Sequence, residues 1–157
     1  MGVELTGGCQ CGAVRFRVTQ TGRSSVCHCR MCQKAFGSFF APLVSAPAFE
    51  WTRGAPKWFA SSNLARRGFC AHCGTPLAYE TSHGMELAVG AFDRPEKVAP
   101  TLQVNLNDRQ PFYGHLSTLP EEGGWSAEWA DFVSRVENHQ HPDHDTERWP
   151  LPQRKQP

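Results

Sequence analysis

Seven cysteines in a 157-residue chain fall into three groups, and their spacing suits metal ligation better than disulfide pairing. The first group is Gly8-Cys9-Gln10-Cys11-Gly12. Residues i and i+2 of an extended chain point to one side, so both sulfurs can face one ion, and the flanking glycines let the backbone bend around it. The third group, Cys70-Ala71-His72-Cys73-Gly74, has the two-residue spacing of a zinc knuckle, with Gly74 free to turn left-handed. Each pair is half of a tetrahedral site. Joined, Cys9, Cys11, Cys70 and Cys73 make a closed, structural zinc site. The middle group is Cys27-His28-Cys29-Arg30-Met31-Cys32. Cys29 and Cys32 share one helix face and Cys27 approaches from the preceding segment. Three thiolates leave a tetrahedral ion one position short, which is the arrangement of a catalytic zinc. Such an ion lowers the pKa of a bound water or thiol. We therefore expect two Zn2+ per chain, one structural and one catalytic.

Other uses of these residues stay open at this stage. His28 is a possible fourth ligand in the middle group, although its place beside Cys27 is awkward, and His72 lies inside the knuckle turn. A ligand from elsewhere would close the middle site and make it structural. Cys29/Cys32 or Cys70/Cys73 could instead work as a dithiol redox pair. His139, His141 and His144, beside Asp143 and Asp145, could take a divalent metal or form part of a polar tail.

The elements that must position these groups are short. Val14, Phe16 and Val18 alternate with Arg15 and Arg17, so Ala13–Val18 is expected to be a half-buried strand with a polar face. Ser25–His28 leads as a strand into a helix over Cys29–Phe36, stopped by Gly37. Phe39–Ser45 contains Pro42 and is expected at a sheet edge or bulge. Phe49–Arg53 and Lys57–Ser61 look like a hairpin turning at Gly54-Ala55-Pro56. Arg67–Cys70 and Pro76–Glu80 enter and leave the knuckle, and Glu86–Phe92 and Thr101–Leu106 are further strand candidates. Trp129, Phe132, Val133 and Val136 stand at helical spacing after Ser126, a suitable N-cap. The expectation is one mainly β, zinc-organised domain over 1–137 that includes this short C-terminal helix. A polar, Pro-rich tail, expected to fray, follows over 138–157.

Composition agrees with short elements: 12 Pro and 14 Gly call for many turns, and 10 Phe and 5 Trp favour strands. The net charge of +1 removes the case for a general nucleic-acid binder, but residues 1–70 carry nine Lys or Arg against two acids. This basic excess either attracts an anionic substrate or offsets the negative charge of zinc-bound thiolates. No signal-peptide pattern and no membrane-length apolar run is visible, and clustered thiols suit a reducing compartment, so a cytoplasmic location is expected. Met1-Gly2 with Thr6 also matches the short myristoylation pattern.

The three cysteine motifs, in this order, resemble the glutathione-dependent formaldehyde-activating enzyme family, which includes centromere protein V. The likeness is carried by Gly8-Cys9-x-Cys11-Gly12, Cys27-His28-Cys29-x-x-Cys32-Gln33-Lys34 and Phe69-Cys70-x-x-Cys73-Gly74. Gly90-Ala91-Phe92-Asp93-Arg94-Pro95 is similar to the family's Gly-x-x-Asp-x-Pro turn. The resemblance implies an all-β fold of small coiled antiparallel sheets, a β-tent. It implies a structural zinc at Cys9, Cys11, Cys70 and Cys73 and a catalytic zinc at Cys27, Cys29 and Cys32. It also implies a carbon–sulfur lyase that adds glutathione or a related thiol to formaldehyde or a small aldehyde. The stretch Gln103–Tyr113 departs from the family pattern, and no glutathione-contacting residue can be assigned. The competing function is a non-catalytic, zinc-stabilised module that uses Arg15, Arg17, Arg66 and Arg67, with Trp51, Trp58 and Phe59, against an acidic partner or nucleic acid. A methionine sulfoxide reductase B-like enzyme needs a further nucleophilic cysteine, and metal claims all seven.

Overall fold

The computed structural model describes residues 4–149. Its ten strands make two sheets. Strands β1 (Leu5–Gly8) and β2 (Arg15–Gln20) form a hairpin around the first cysteine pair. Next come β3 (Ser24–Cys27), helix α1 (Arg30–Phe36), β4 (Ala41–Ser45), β5 (Ala48–Arg53), β6 (Lys57–Ala60) and β7 (Ala65–Phe69). Strands β8 (Pro76–Thr81), β9 (Gly84–Ala88) and β10 (Leu102–Val104) follow, and helix α2 (Ala127–Ser134) comes last. The smaller sheet has the order β1-β2-β5, and the larger runs β10-β3-β4-β9-β8-β7-β6. Pairing is antiparallel except between β10 and β3, where Val104 lies beside Cys27.

The core is shared between the sheets. Phe16 and Val18 of β2 pack in one buried cluster with Val44, Leu77 and Leu87 of the larger sheet. Phe16 is fully buried, edge-on to Phe92 at 5.0 Å and to Trp51 at 6.0 Å. Burial of this kind stabilises by about 2–3 kcal/mol per large apolar side chain. The alternation read in β2 holds for these apolar residues. Its polar face holds only at Arg17: Arg15 is 2% exposed and ion-paired rather than solvated.

Two further expectations change. Phe49–Arg53 and Lys57–Ser61 do not form a hairpin. Strand β5 pairs with β2, placing Trp51 opposite Phe16, whereas β6 pairs with β7, placing Trp58 opposite Gly68. The chain crosses between sheets at Gly54, whose φ is +56° and where a Cβ would come 2.3 Å from the Ala13 carbonyl oxygen. Gly54→Ala is therefore expected to cost about 2 kcal/mol or more, lowering the melting temperature by about 4–8 °C. A melt unchanged from wild type would count against this crossing. Pro42 lies in β4, inside the larger sheet rather than at its edge. It stands opposite Val26 but outside Leu43–Ser45, the run that pairs with β9, so its missing N–H interrupts no ladder there.

Helix α1 starts at Cys29, whose Sγ accepts from the Cys32 amide, and stops at left-handed Gly37. Helix α2 starts at Ser126, whose Oγ accepts from the Trp129 amide at 3.2 Å. Its apolar face is not a core face. Trp129 and Phe132 stack on each other at 5.0 Å and each stays 50% exposed. No described helix is long and apolar enough to cross a membrane.

The described part of the segment that composition suggested would fray, 138–149, is tied down. The His141 amide donates to the Gln10 carbonyl at 2.7 Å, Trp149 Nε1 donates to the Cys11 carbonyl at 2.8 Å, and Arg53 bonds to Thr146. Gly12 makes room for this strap, since a Cβ there would lie 2.1 Å from the His141 ring.

Candidate metal centres

The β1–β2 turn and the β7–β8 turn bring Cys9, Cys11, Cys70 and Cys73 together, with all four sulfurs within 4.8 Å of one another. Cys9 and Cys11 lie 3.5 Å apart, and Cys11 and Cys70 lie 3.8 Å apart. Thiolates about 2.3 Å from a tetrahedral ion sit about 3.8 Å from each other, so the donor set fits a zinc-sized ion. All seven cysteines are free thiols, and a disulfide needs an S–S distance of about 2 Å. The Gln10 side chain crosses between the turns by donating to the Cys73 carbonyl, and the Gln10 backbone N–H donates to Thr75 Oγ1. The knuckle closes through the Gly74 amide on the Cys70 carbonyl at 2.9 Å, with Gly74 at φ +76°. Against the effect of burial, hydrogen bonds from Thr75 hold the Cys73 thiol down at about 6, which favours a ligand-ready thiolate.

The second cluster forms where β3 runs into α1. Cys27, Cys29 and Cys32 have all their sulfurs within 4.8 Å of one another. Cys27 and Cys32 are buried, and Cys29 is only half-buried, so the cluster is approached past Cys29. Ala41, Leu43, Phe36, Tyr79 and Val104 pack around it. A hydrogen bond from Cys32 holds the Cys27 thiol down at about 5, and the same bond pushes Cys32 up. Three soft donors, with no fourth converging among the described residues, would suit a metal that keeps one exchangeable position.

His28 is fully buried between the ligand positions but lies outside both clusters. Its Nε2 pairs with Gln103 at 2.9 Å, and its ring packs edge-on to Tyr113. His72 packs near Trp149 instead of joining the knuckle sulfurs. Among the described residues, His139, His141, His144, Asp143 and Asp145 do not converge on an ion. His141 is engaged with Thr146 and the Pro142 carbonyl, and Asp145 with Arg15.

Gln33 and Asp93 stood in the quoted motifs without an assigned role, and the sulfur contacts of Asn105 and Arg67 escaped the sequence. Gln33, 1% exposed, donates to the carbonyls of His28 and Asp108 and accepts from Arg30 and Gln110. It pins α1 to the segment after β10. Asn105 Nδ2 donates to Cys27 Sγ at 3.2 Å, and Arg67 Nη2 donates to Cys32 Sγ at 3.4 Å. No sequence spacing links Arg67 to Cys32; the only hint for Asn105 was its residue type, one of the few besides glycine that tolerate a left-handed backbone. Asp93 accepts from Nη1 and Nη2 of Arg15, at 2.8 and 2.5 Å, and from Thr6 Oγ1 at 2.6 Å. The Gly90–Pro95 turn thus ties β1, β2 and the loop after β9 together.

Residues 4–108 match the family profile of the glutathione-dependent formaldehyde-activating enzyme. The chain belongs to this family. The match includes both cysteine clusters and ends before α2 and the strap over the first cysteine turn. An uncharacterized lyase of Schizosaccharomyces pombe (strain 972) is 28% identical over 116 residues, covering 70% of this chain and 84% of that protein. The crystal structure of a Rhodobacter sphaeroides protein is 18% identical and covers 63% of this chain and 99% of that one, with a TM-score of 0.47.

Proposed function

We propose that this protein is a zinc-dependent carbon–sulfur lyase that joins glutathione, or a related thiol, to formaldehyde or a small aldehyde and reverses the reaction. Cys9, Cys11, Cys70 and Cys73 hold a structural zinc, and Cys27, Cys29 and Cys32 hold a catalytic one. The observation that carries this reading is the difference between four converging sulfurs and three, with Cys29 half-exposed. Cys27, Cys29 and Cys32 would hold the ion, which would supply Lewis acidity to a bound thiol or carbonyl oxygen. In the synthetic direction the substrate thiol loses its proton, the sulfur forms a bond to the carbonyl carbon, and the carbonyl π electron pair moves to oxygen, which takes up a proton. The reverse breaks the same carbon–sulfur bond. Leu43, Phe36 and Tyr79 pack against the cluster, so the substrate thiol meets the site from the half-buried Cys29 side. Reduced thiols of this kind fit a cytoplasmic setting.

Membership in the family and the lyase relative support this reaction class. The binding-module alternative loses its main support. Arg15 and Arg67 are buried, Arg17 faces Glu4 and Glu50, and Arg66 pairs with Glu80, so these four form no free basic face.

Metal analysis of the purified protein is expected to find two zinc per chain. Cys29→Ser is expected to retain one zinc and a cooperative melt. Exchange between free and formaldehyde-adducted glutathione, followed by NMR, should slow at least tenfold in that variant. A wild-type protein with both sites loaded and exchange no faster than buffer would overturn the reaction.

A further inference from the structure

Each sulfur of the three-cysteine centre accepts a hydrogen bond from a nitrogen donor, and these donors come from three places. Cys29 takes the Cys32 amide at 3.4 Å, Cys27 takes Asn105 Nδ2 at 3.2 Å, and Cys32 takes Arg67 Nη2 at 3.4 Å. The four-cysteine centre is served differently. Its sulfurs meet the Val14 amide and Thr75 Oγ1, donors that belong to its own two turns. Donors of that kind come with the local fold. Asn105 and Arg67 reach the other centre from separate elements.

Arg67 is the more telling of the two. It is 8% exposed, and burying a guanidinium is costly unless an anion pairs with it. Among the described residues no carboxylate forms an ion pair with it. Its Nε and Nη1 have no hydrogen-bond partner there, and the Tyr79 ring lies 4.7 Å from its guanidinium carbon. Its counter-charge is therefore the cysteine cluster. Two positive charges on a zinc ion and one on Arg67 balance three thiolates. A fourth, anionic thiolate could then enter without building a double negative charge in a low-dielectric site. The four-cysteine set, with no such cation on its sulfurs, would keep a net double negative charge around the same ion, which suits a closed site.

Asn105 supplies an independent observation. It is the one non-glycine residue with positive φ among the described residues, at 59°. Parallel pairing sets Val104 beside Cys27, and the His28 amide bonds to the Val104 carbonyl. The left-handed turn one residue later directs the Asn105 amide back onto Cys27 Sγ. Hydrogen bonds to an anionic sulfur are charge-assisted and draw electron density from it.

We propose that Asn105 and Arg67 are positioning residues of the three-cysteine centre, which weaken the donation of Cys27 and Cys32 to a bound metal so that its fourth position takes an anionic thiol substrate. This rests on the zinc reading above and adds the two residues that make the site receptive to a thiolate.

The test uses the full-length protein with cobalt(II) in place of zinc, comparing wild type with Asn105→Gly, Arg67→Met and Arg67→Lys. Asn105 is exposed and glycine keeps the left-handed backbone, so Asn105→Gly tests the donor even if Arg67→Met fails to fold. The sulfur-to-cobalt charge-transfer band is expected to move to lower energy in Asn105→Gly and Arg67→Met, with two metal ions still bound. The KM for glutathione should rise about tenfold or more in Arg67→Met, with partial recovery in Arg67→Lys, which keeps the charge but not the fork. A band and a KM that match wild type in Asn105→Gly and Arg67→Met, with both metals bound, overturn the proposal. A band that shifts in a protein without turnover supports the tuning and rejects only the reaction. A wild type that binds one cobalt rejects the metal reading and this inference with it.

Discussion

Cys70→Ser is expected to cost this protein its folded state, whereas Cys29→Ser is not. Cys70 is 1% exposed and belongs to the same buried cluster as Phe16, Val44 and Leu87. Its sulfur is one of four that join the β1–β2 turn to the β7–β8 turn, and so one sheet to the other. Binding of a structural zinc is worth about 10–16 kcal/mol in small zinc-dependent peptides at neutral pH. A domain of this size is stable by only about 5–15 kcal/mol, so losing the ion can remove all of it. Circular dichroism and a thermal melt check this. Cys70→Ser should show no cooperative transition above room temperature, and a strong chelator should bring the wild type to the same state. A cooperative melt within a few degrees of wild type would show that the four-cysteine cluster does not hold the fold together.

Asp93→Asn is expected to lose about 3 kcal/mol at neutral pH. The Arg15 and Asp93 side chains are 3% and 7% exposed, and the substitution leaves a buried guanidinium with only the half-exposed Asp145 as its anion. The pH dependence carries the sharper test. Burial alone would raise the Asp93 carboxyl, but hydrogen bonds from Arg15 and Thr6 outweigh it and hold the carboxyl below its ordinary range. A carboxylate whose folded pKa is depressed contributes stability that is fully present above the ordinary aspartate value of about 3.9. That contribution is lost as pH falls through the lower, folded value. The stability gap between wild type and Asp93→Asn should therefore be constant from about pH 5 to 7 and narrow below about pH 4. Comparing the two proteins at each pH cancels any acid effect on the cysteine clusters, which both proteins share. A gap that stays constant through pH 3 would remove Asp93 ionisation from the fold's stability.

What was legible in the sequence was whatever depends on near neighbours. The Cys29–Phe36 helix and its stop at Gly37 could be read, because capping is decided within one turn. The apolar alternation of Val14, Phe16 and Val18 could be read, because a strand has a period of two. The hairpin expected at Gly54-Ala55-Pro56 failed because turn residues mark a change of direction without naming the strand that follows. Trp51 finds Phe16 and Trp58 finds a place opposite Gly68, in different sheets. Arg15 looked like a solvated residue because its partners lie 78 and 130 positions away. The apolar stripe of α2 was real as a pattern, yet periodicity does not show whether a face finds a surface to cover.

The sequence by itself determined the candidate donors: seven soft sulfurs in three spaced groups, and a knuckle glycine to close the turn. Family membership follows from the same residues. Only the tertiary structure decided how those donors are surrounded. Asn105 reaches Cys27 across 78 positions, and Arg67 reaches Cys32 across 35. The physical reason is range. Metal ligands within a motif are placed by a few backbone dihedrals, so their spacing is visible in the chain. The charge around them is set by side chains that only sheet pairing brings within 3.5 Å.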